Sequence, residues 1–264
     1  MIIDFHTHCF PDPLAPRAVR ALAEKSGIMF PPGDGTVTSL KSSMDACGVD
    51  VSVVLGIATN PHQQRKVNDF AISLLGDKRL VPFGSVHPDS PDALQELERL
   101  AAAGIKGIKF HPEYQSFFVD EKRMLPIYEK AAELGLITVF HAGLDLGYRP
   151  PFHCTPLRLR NALPAFSGAP VAAAHWGGVD EVYNTLRYLC GTDIYLDTSY
   201  SYGAVSPLIA ADIISAHSAD RVLMGTDFPW MNADMSLAFL DCCGINAEQK
   251  EKITGGNARR LLGL

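Results

Sequence analysis

The apolar positions of this chain fall into short runs rich in β-branched residues, separated by stretches with helical spacing. Met1–Phe5 is the first run, followed by Val49–Ile57, Leu80–His87, Ile105–His111, Leu136–His141, Pro170–His175, Asp193–Thr198 and Arg221–Asp227. Runs of this length and composition predict buried strands. Between them, Val37–Cys47, Arg65–Leu75, Pro91–Ala103 and Met124–Leu134 read as helices, each followed by a glycine (Gly48, Gly76, Gly104, Gly135) suited to a C-terminal cap. In Pro91–Ala103 the residues Leu94, Leu97, Leu100 and Ala101 share one face, the mark of a helix packed on a sheet. Further helices are expected at Thr155–Phe166, Val179–Cys190, Pro207–Ala216 and from Asn246 to Leu262, with a break at Gly255-Gly256. Strands alternating with helices imply parallel βαβ units. Eight units in 264 residues predict an α/β fold of the (β/α)8 TIM-barrel kind, a single domain over residues 1–264. The one long irregular connection, Cys9–Gly35, holds five prolines and a short helix near Ala15–Lys25. A connection of that length is usually functional, and it is expected to be a lid.

Composition narrows the picture. Hydrophobic residues make up 47% and charged residues 20%, as in a globular chain with a substantial core. A net charge of −6 argues against a nucleic-acid partner, and an anionic substrate would need specific cationic side chains. No apolar run is long enough to span a membrane, and no secretory signal is visible. The six cysteines include no C-x-x-C pair, so free thiols in the cytoplasm are expected. No glycine-rich phosphate loop is present. The expected partner is a small-molecule substrate, with further copies of the chain as the only macromolecular partner in view.

The chemistry is concentrated where the predicted strands end. His6 and His8 are two residues apart on the first strand, so both imidazoles can aim at one point. His87, His111, His141, His175 and Asp227 close five of the other runs. In a barrel of this kind the C-terminal strand ends ring the active site. Histidines converging on one rim point to a metal or acid–base centre.

The motifs D-F-H-T-H at 4–8, G-I-K-F-H-P at 107–112, V-F-H-A-G at 139–143, H-W-G-G at 175–178, Y-L-D-T-S at 195–199, G-T-D-F-P-W at 225–230 and G-G-N-A-R-R-L-L at 255–262 run in order along the whole chain. In these the sequence resembles the amidohydrolase superfamily, and more closely its amidohydrolase-related branch of TIM-barrel metal-dependent hydrolases and decarboxylases. The resemblance implies His6, His8, His141 and Asp227 as ligands of a divalent metal. Neutral imidazoles with one carboxylate suit Zn²⁺ and leave a position open for water. It implies His175 as acid or base beside that water, with Asp227 sharing the proton handling. Lys109 and His111 share a face of the fourth strand. A carboxylated Lys109 bridging two metals, as in binuclear members, and a substrate contact are both open for that pair. Arg149, Trp176 and Trp230 are candidate substrate contacts, and Asp4 shares a face with His6 and His8 and could hold a ligand imidazole from behind. The favoured activity is hydrolysis of a small, carboxylate-bearing ester, lactone or amide by metal-activated water. The alternative is non-oxidative decarboxylation of an aromatic or unsaturated acid at the same centre. A metal-binding barrel without catalysis is the reading from another class.

Overall fold

The computed structural model describes residues 1–28, 30–202 and 204–264. Among them, eight parallel strands succeed one another as expected: β1 (Ile3–Thr7), β2 (Val51–Leu55), β3 (Leu80–Phe83), β4 (Gly107–Phe110), β5 (Ile137–Phe140), β6 (Val171–Ala173), β7 (Tyr195–Asp197) and β8 (Val222–Leu223). Ladders join β1 to β3 and β4 to β8 in sequence order. Parallel bridges Gly84↔Ile108 and Thr7↔Phe228 connect the two sheets, so the ring closes into a (β/α)8 barrel. Closure leaves no free sheet edge, which is why such short strands suffice.

The runs that end at His87, His111, His141, His175 and Asp227 continue past the last ladder bond into the turn that carries that residue, whereas β1 extends two residues beyond its apolar run. Phe5, Val53, Phe83, Val139, Ala172 and Leu223 form an apolar cluster of their own, which Ala258 and Leu262 of the last helix join. The larger cluster lies between strands and helices, with Leu97, Leu100, Phe110 and Tyr128 among its members. Above the inner cluster the barrel turns polar, and there the β1–β2 register shifts between Asp4 and Thr7.

Two local expectations are corrected. The helix Ala233–Asp241 has no counterpart in the sequence reading; its buried Ala233, Ser236 and Leu240 carry a helical spacing that Ser236 disguises. The chain does not break at Gly255-Gly256 but continues as a π-helical turn, Lys252–Gly256, into Asn257–Leu262. Gly255 lies so close to β1 that a Cβ there would sit 2.0 Å from the Met1 carbonyl oxygen. Asn257 then donates to the carbonyls of Ala219 and Val222 at 2.7 and 2.8 Å, fastening this helix to the start of β8. The expected helix in the long first loop is present as Ala15–Ser26. Met29, within the same loop, lies outside the described residues.

One buried histidine belongs to the scaffold. His217 ends the helix Pro207–His217; its Nε2 donates to the Ile194 carbonyl at 2.8 Å and its Nδ1 accepts from the Gly191 amide at 3.3 Å. Burial lowers its pKa, the Ile194 hydrogen bond opposes that, and Arg221 adds to the lowering. The unfolded chain therefore binds more protons than the folded one below the ordinary histidine value of about 6.5. Its contribution to stability is complete above that pH and is lost as the pH falls below it. Thermal melts at pH 7.5 and 5.5 should show a smaller acid-induced drop for His217→Gln than for wild type, and an equal drop would remove His217 from the account.

Candidate metal centre

β1 and the turn after β8 bring three donor atoms together. His6 Nε2 lies 3.2 Å from His8 Nε2 and 3.4 Å from Asp227 Oδ1, and His8 Nε2 lies 3.1 Å from the same oxygen. The other ring nitrogens identify the tautomers. His6 Nδ1 donates to the Asp197 carboxylate at 2.8 Å, and His8 Nδ1 donates to the Leu55 carbonyl at 2.9 Å. In the neutral rings both hydrogens are thereby used, and two bare Nε2 lone pairs and a carboxylate oxygen face one another.

Polar atoms so placed lose about 1–3 kcal/mol each without a partner. A divalent cation supplies the missing charge. Zinc ligands at about 2.0–2.1 Å in tetrahedral array are separated by about 3.3–3.4 Å, close to the distances found. Burial, reinforced by Lys109 and opposed by Asp197, lowers the His6 pKa to about 3, so the ring is neutral as a ligand must be. Burial works against the charge of Asp227, but the His8 hydrogen bond and the nearby His6 and His175 hold its pKa down to about 2. The donor set therefore fits a divalent metal held by His6, His8 and Asp227.

His141 does not join these three. Its Nε2 faces the Leu144 carbonyl at 3.3 Å, its Nδ1 lies 3.0 Å from His175 Nε2, and it lines the same cleft as His175 and Asp227. It stands with His111 and Asp145 in a neighbouring group. His175 lies between, its ring centroid 5.1 Å from that of His6 and 4.8 Å from that of His141. His175, Trp176 and Asp227 have φ of 58°, 59° and 71°, a left-handed conformation costly for residues with a Cβ. That strain is tolerated where the turns after β6 and β8 place His175 and Asp227 in the cleft over the barrel.

The partner of the His6 ring is Asp197, not Asp4. Asp4 accepts from the amides of His6 (3.2 Å) and Thr226 (3.0 Å) and from the Thr226 hydroxyl (2.7 Å), tying β1 to the chain after β8. Burial raises its pKa to about 7 despite those bonds. Asp197, which the sequence reading left out of the site, accepts from His6 with one oxygen. Its other oxygen accepts from the amides of His175 (3.1 Å) and Ser199 (3.0 Å) and from the Ser199 hydroxyl. Burial works against its charge, yet His6, His175 and Lys109 hold the carboxyl below the usual range. Its place in Y-L-D-T-S, at the end of a strand, was the available signal.

The remaining candidates divide. Lys109 is fully buried, with Nζ 3.4 Å from His6 Nε2; burial lowers its pKa to about 8 against the pull of Asp197 and Asp227. His111 stacks on Tyr114 and on His141, with ring centroids 3.6 and 4.1 Å apart, and its Nε2 meets Asp145 at 3.2 Å. Trp230 lines the cleft above the donors together with Tyr114, Tyr200, Asp145 and, from the first loop, Leu22 and Ser26. The expected lid therefore forms part of the cleft wall. Two expected substrate contacts lie elsewhere. Trp176 is buried, donating its indole N–H to Ser201 at 2.7 Å and packing on Phe239, and Arg149 is exposed and does not line the cleft.

A closed eightfold barrel with a His-x-His pair and a carboxylate after β8 defines a metal-binding TIM-barrel protein of the enzyme type. A model of the amidohydrolase family matches residues 3–264, and the chain belongs to that family. Comparison with curated protein sequences gives no match. Among solved structures the chain is similar to an uncharacterized TIM-barrel protein from Bordetella bronchiseptica, with a TM-score of 0.77 and 22% identity over 99% of this chain and 98% of the other. It is similar to a dihydroxybenzoic acid decarboxylase from Polaromonas with bound manganese and 2-nitroresorcinol, at a TM-score of 0.72, 18% identity and coverage of 100% and 97%. A third similar structure is the 5-carboxyvanillate decarboxylase of Sphingomonas paucimobilis, at 0.70, 16%, 100% and 99%.

Two variants test the centre by metal binding. His6→Ala/His8→Ala should abolish binding of a divalent ion, as measured by elemental analysis of the purified protein. Asp197→Asn keeps the shape but removes the charge behind His6, and calorimetric titration should show affinity lowered by about 10–100-fold. Full affinity in Asp197→Asn would reduce that residue to a structural tie.

Proposed function

We propose that this chain is a metal-dependent carboxy-lyase acting on a small aromatic or unsaturated carboxylic acid. The observation that carries the reading is the make-up of the cleft. Its walls are aromatic and aliphatic, with Tyr114, Tyr200 and Trp230 facing one space, and no Arg or Lys lines it among the described residues. A flat acid packs against such walls, and its carboxylate finds no Arg or Lys among them. The cationic places left are a divalent ion held by the three-donor cluster and Lys109 beside it. This ranks decarboxylation above the hydrolysis expected from the sequence, because a carboxylate used only for recognition would need a cation away from the reacting centre.

A bound divalent ion, zinc by donor chemistry, would supply positive charge to the carboxylate-side oxygens. The chain's own residues do the rest. The aromatic walls hold the ring plane and exclude water. As the carbon–carboxylate bond breaks, its electron pair stays on carbon and a proton must replace the departing carbon dioxide. His175, buried beside the His6 and His141 rings, is the group positioned to deliver it, with Asp227 in the same cleft. The similar folds of two decarboxylases support this reading. The cysteines are free and no helix among the described residues is long and apolar enough to cross a membrane, which supports the cytoplasmic placement.

The test is carbon dioxide release by the metal-loaded protein from a panel of aromatic and unsaturated acids. Turnover of lactones or activated esters without carbon dioxide release would establish the hydrolytic reading instead. His175→Asn should keep its metal and lose about 10²–10⁴-fold in kcat, the usual worth of a positioned acid or base. Loss of metal in that variant would make His175 a ligand.

A further inference from the structure

We propose that Asp145 is a specificity residue of the cleft: it takes a hydroxyl or amino group at the end of the substrate remote from the carboxylate and rejects a second carboxylate there. The proposal rests on the reading that the substrate's carboxylate goes to the donor cluster.

Asp145 follows β5 and had no signal in the sequence beyond an ordinary D-L-G turn, in which the Gly147 amide donates to its Oδ1 at 2.8 Å. It stands with His111 and His141 in a group whose donor atoms lie within 4.8 Å of one another. That group does not resemble the first. The Tyr114 amide donates to His111 Nδ1 at 3.4 Å, so the hydrogen of the neutral ring is on Nε2, which faces Asp145 Oδ2 at 3.2 Å. Donor meets acceptor, and no cation is called for.

The carboxylate is thus aimed and not fully used. A carboxylate has about four acceptor sites, of which Gly147 and His111 take two and the Tyr114 hydroxyl engages a third. Its side chain is 12% exposed, and it lines the cleft. Among the described lining residues the other charge is Asp227, which belongs to the donor cluster. Lys25, on the first loop, lies over the ring faces of Tyr148 and Tyr114 at 3.7 and 5.3 Å and does not line the cleft. Burial and the Asp145 charge push the Tyr114 hydroxyl pKa up, so that wall adds no negative charge. A ligand with its carboxylate on the donor cluster therefore meets one uncompensated anion at its far end. A donor group gains a charge-assisted hydrogen bond there, and a second carboxylate meets like charge in a place shielded from water.

The probes are benzoate, meta-hydroxybenzoate, meta-aminobenzoate and isophthalate, titrated calorimetrically into the zinc- or manganese-loaded protein. The hydroxy and amino acids should bind about 10–100-fold tighter than benzoate, the worth of a hydrogen bond to a charged group, and isophthalate should bind more weakly than benzoate. Asp145→Asn should lose most of the advantage of the donor-bearing acids and readmit isophthalate. Isophthalate binding to wild type as tightly as meta-hydroxybenzoate would overturn the proposal, and the wild-type series stands even if the variant fails to fold. An unchanged order in a folded Asp145→Asn, or no binding by any donor-bearing acid, would overturn it as well. The expected order without carbon dioxide release from any acid would overturn the carboxy-lyase reading and leave the role of Asp145 standing.

Discussion

Three acceptor atoms within 3.1–3.4 Å of one another, with their hydrogens committed elsewhere, form the constraint on which the rest of the site depends. Like partial charges at that range in a buried setting repel, and the repulsion grows as water is excluded. A proton on His8 would satisfy Asp227 alone. A divalent cation satisfies all three atoms and requires a bare Nε2 lone pair on each imidazole, which the Nδ1 partners arrange by holding the ring hydrogen on the other side. Asp197 and the Leu55 carbonyl therefore matter as much as the ligands: they decide which nitrogen of each ring carries the lone pair.

The barrel supplies that arrangement at its β8–β1 seam. The Asp227 amide donates to the His6 carbonyl at 2.8 Å, and the His8 amide to the Phe228 carbonyl at 2.7 Å. Asp4 locks Thr226 from the opposite strand. Gly225 fits between them because a Cβ there would approach the His6 Cβ to 2.8 Å. The two ligand-bearing segments are thus stitched to each other by backbone bonds. A rigid seam fixes donor separations to a fraction of an ångström, which side chains on free loops would not do.

The strand–helix alternation made the barrel legible, because the apolar runs were short and four of the helices between them ended at a glycine. The rim positions of His6, His8, His175 and Asp227 followed from strand ends alone. What could not be read was which way a side chain turns beyond its strand. Trp176 follows His175 in sequence but points into the core, since the left-handed turn there sends successive side chains to opposite sides. Arg149 lies in the right loop and faces outward. His141 is at the expected rim, with its nitrogens facing Leu144 and His175. Asp197 and Asp145 were missed for a related reason: an isolated Asp in a loop or strand end carries no periodic signal, and its role appears only through partners 191 and 34 positions away.

Under the proposed reading, the donor cluster does not choose the reaction. The same three atoms would serve a metal that orients water or one that binds a carboxylate. The choice falls to the walls, and these come from segments far apart in the chain. The first loop contributes Leu22 and Ser26, and the loop after β5 contributes Leu144, Asp145 and Leu146. Lys25 joins the two by lying over Tyr148 and Tyr114. A cation over an aromatic face contributes about 0.5–2 kcal/mol, enough to bias the helix Ala15–Ser26 toward the β5 loop while leaving it separable. Placed there, the Lys25 charge holds the wall together without entering the cleft, so the cleft stays poor in cations. A lysine turned inward would have neutralised Asp145 and removed the polarity that runs from the donor cluster to the far wall.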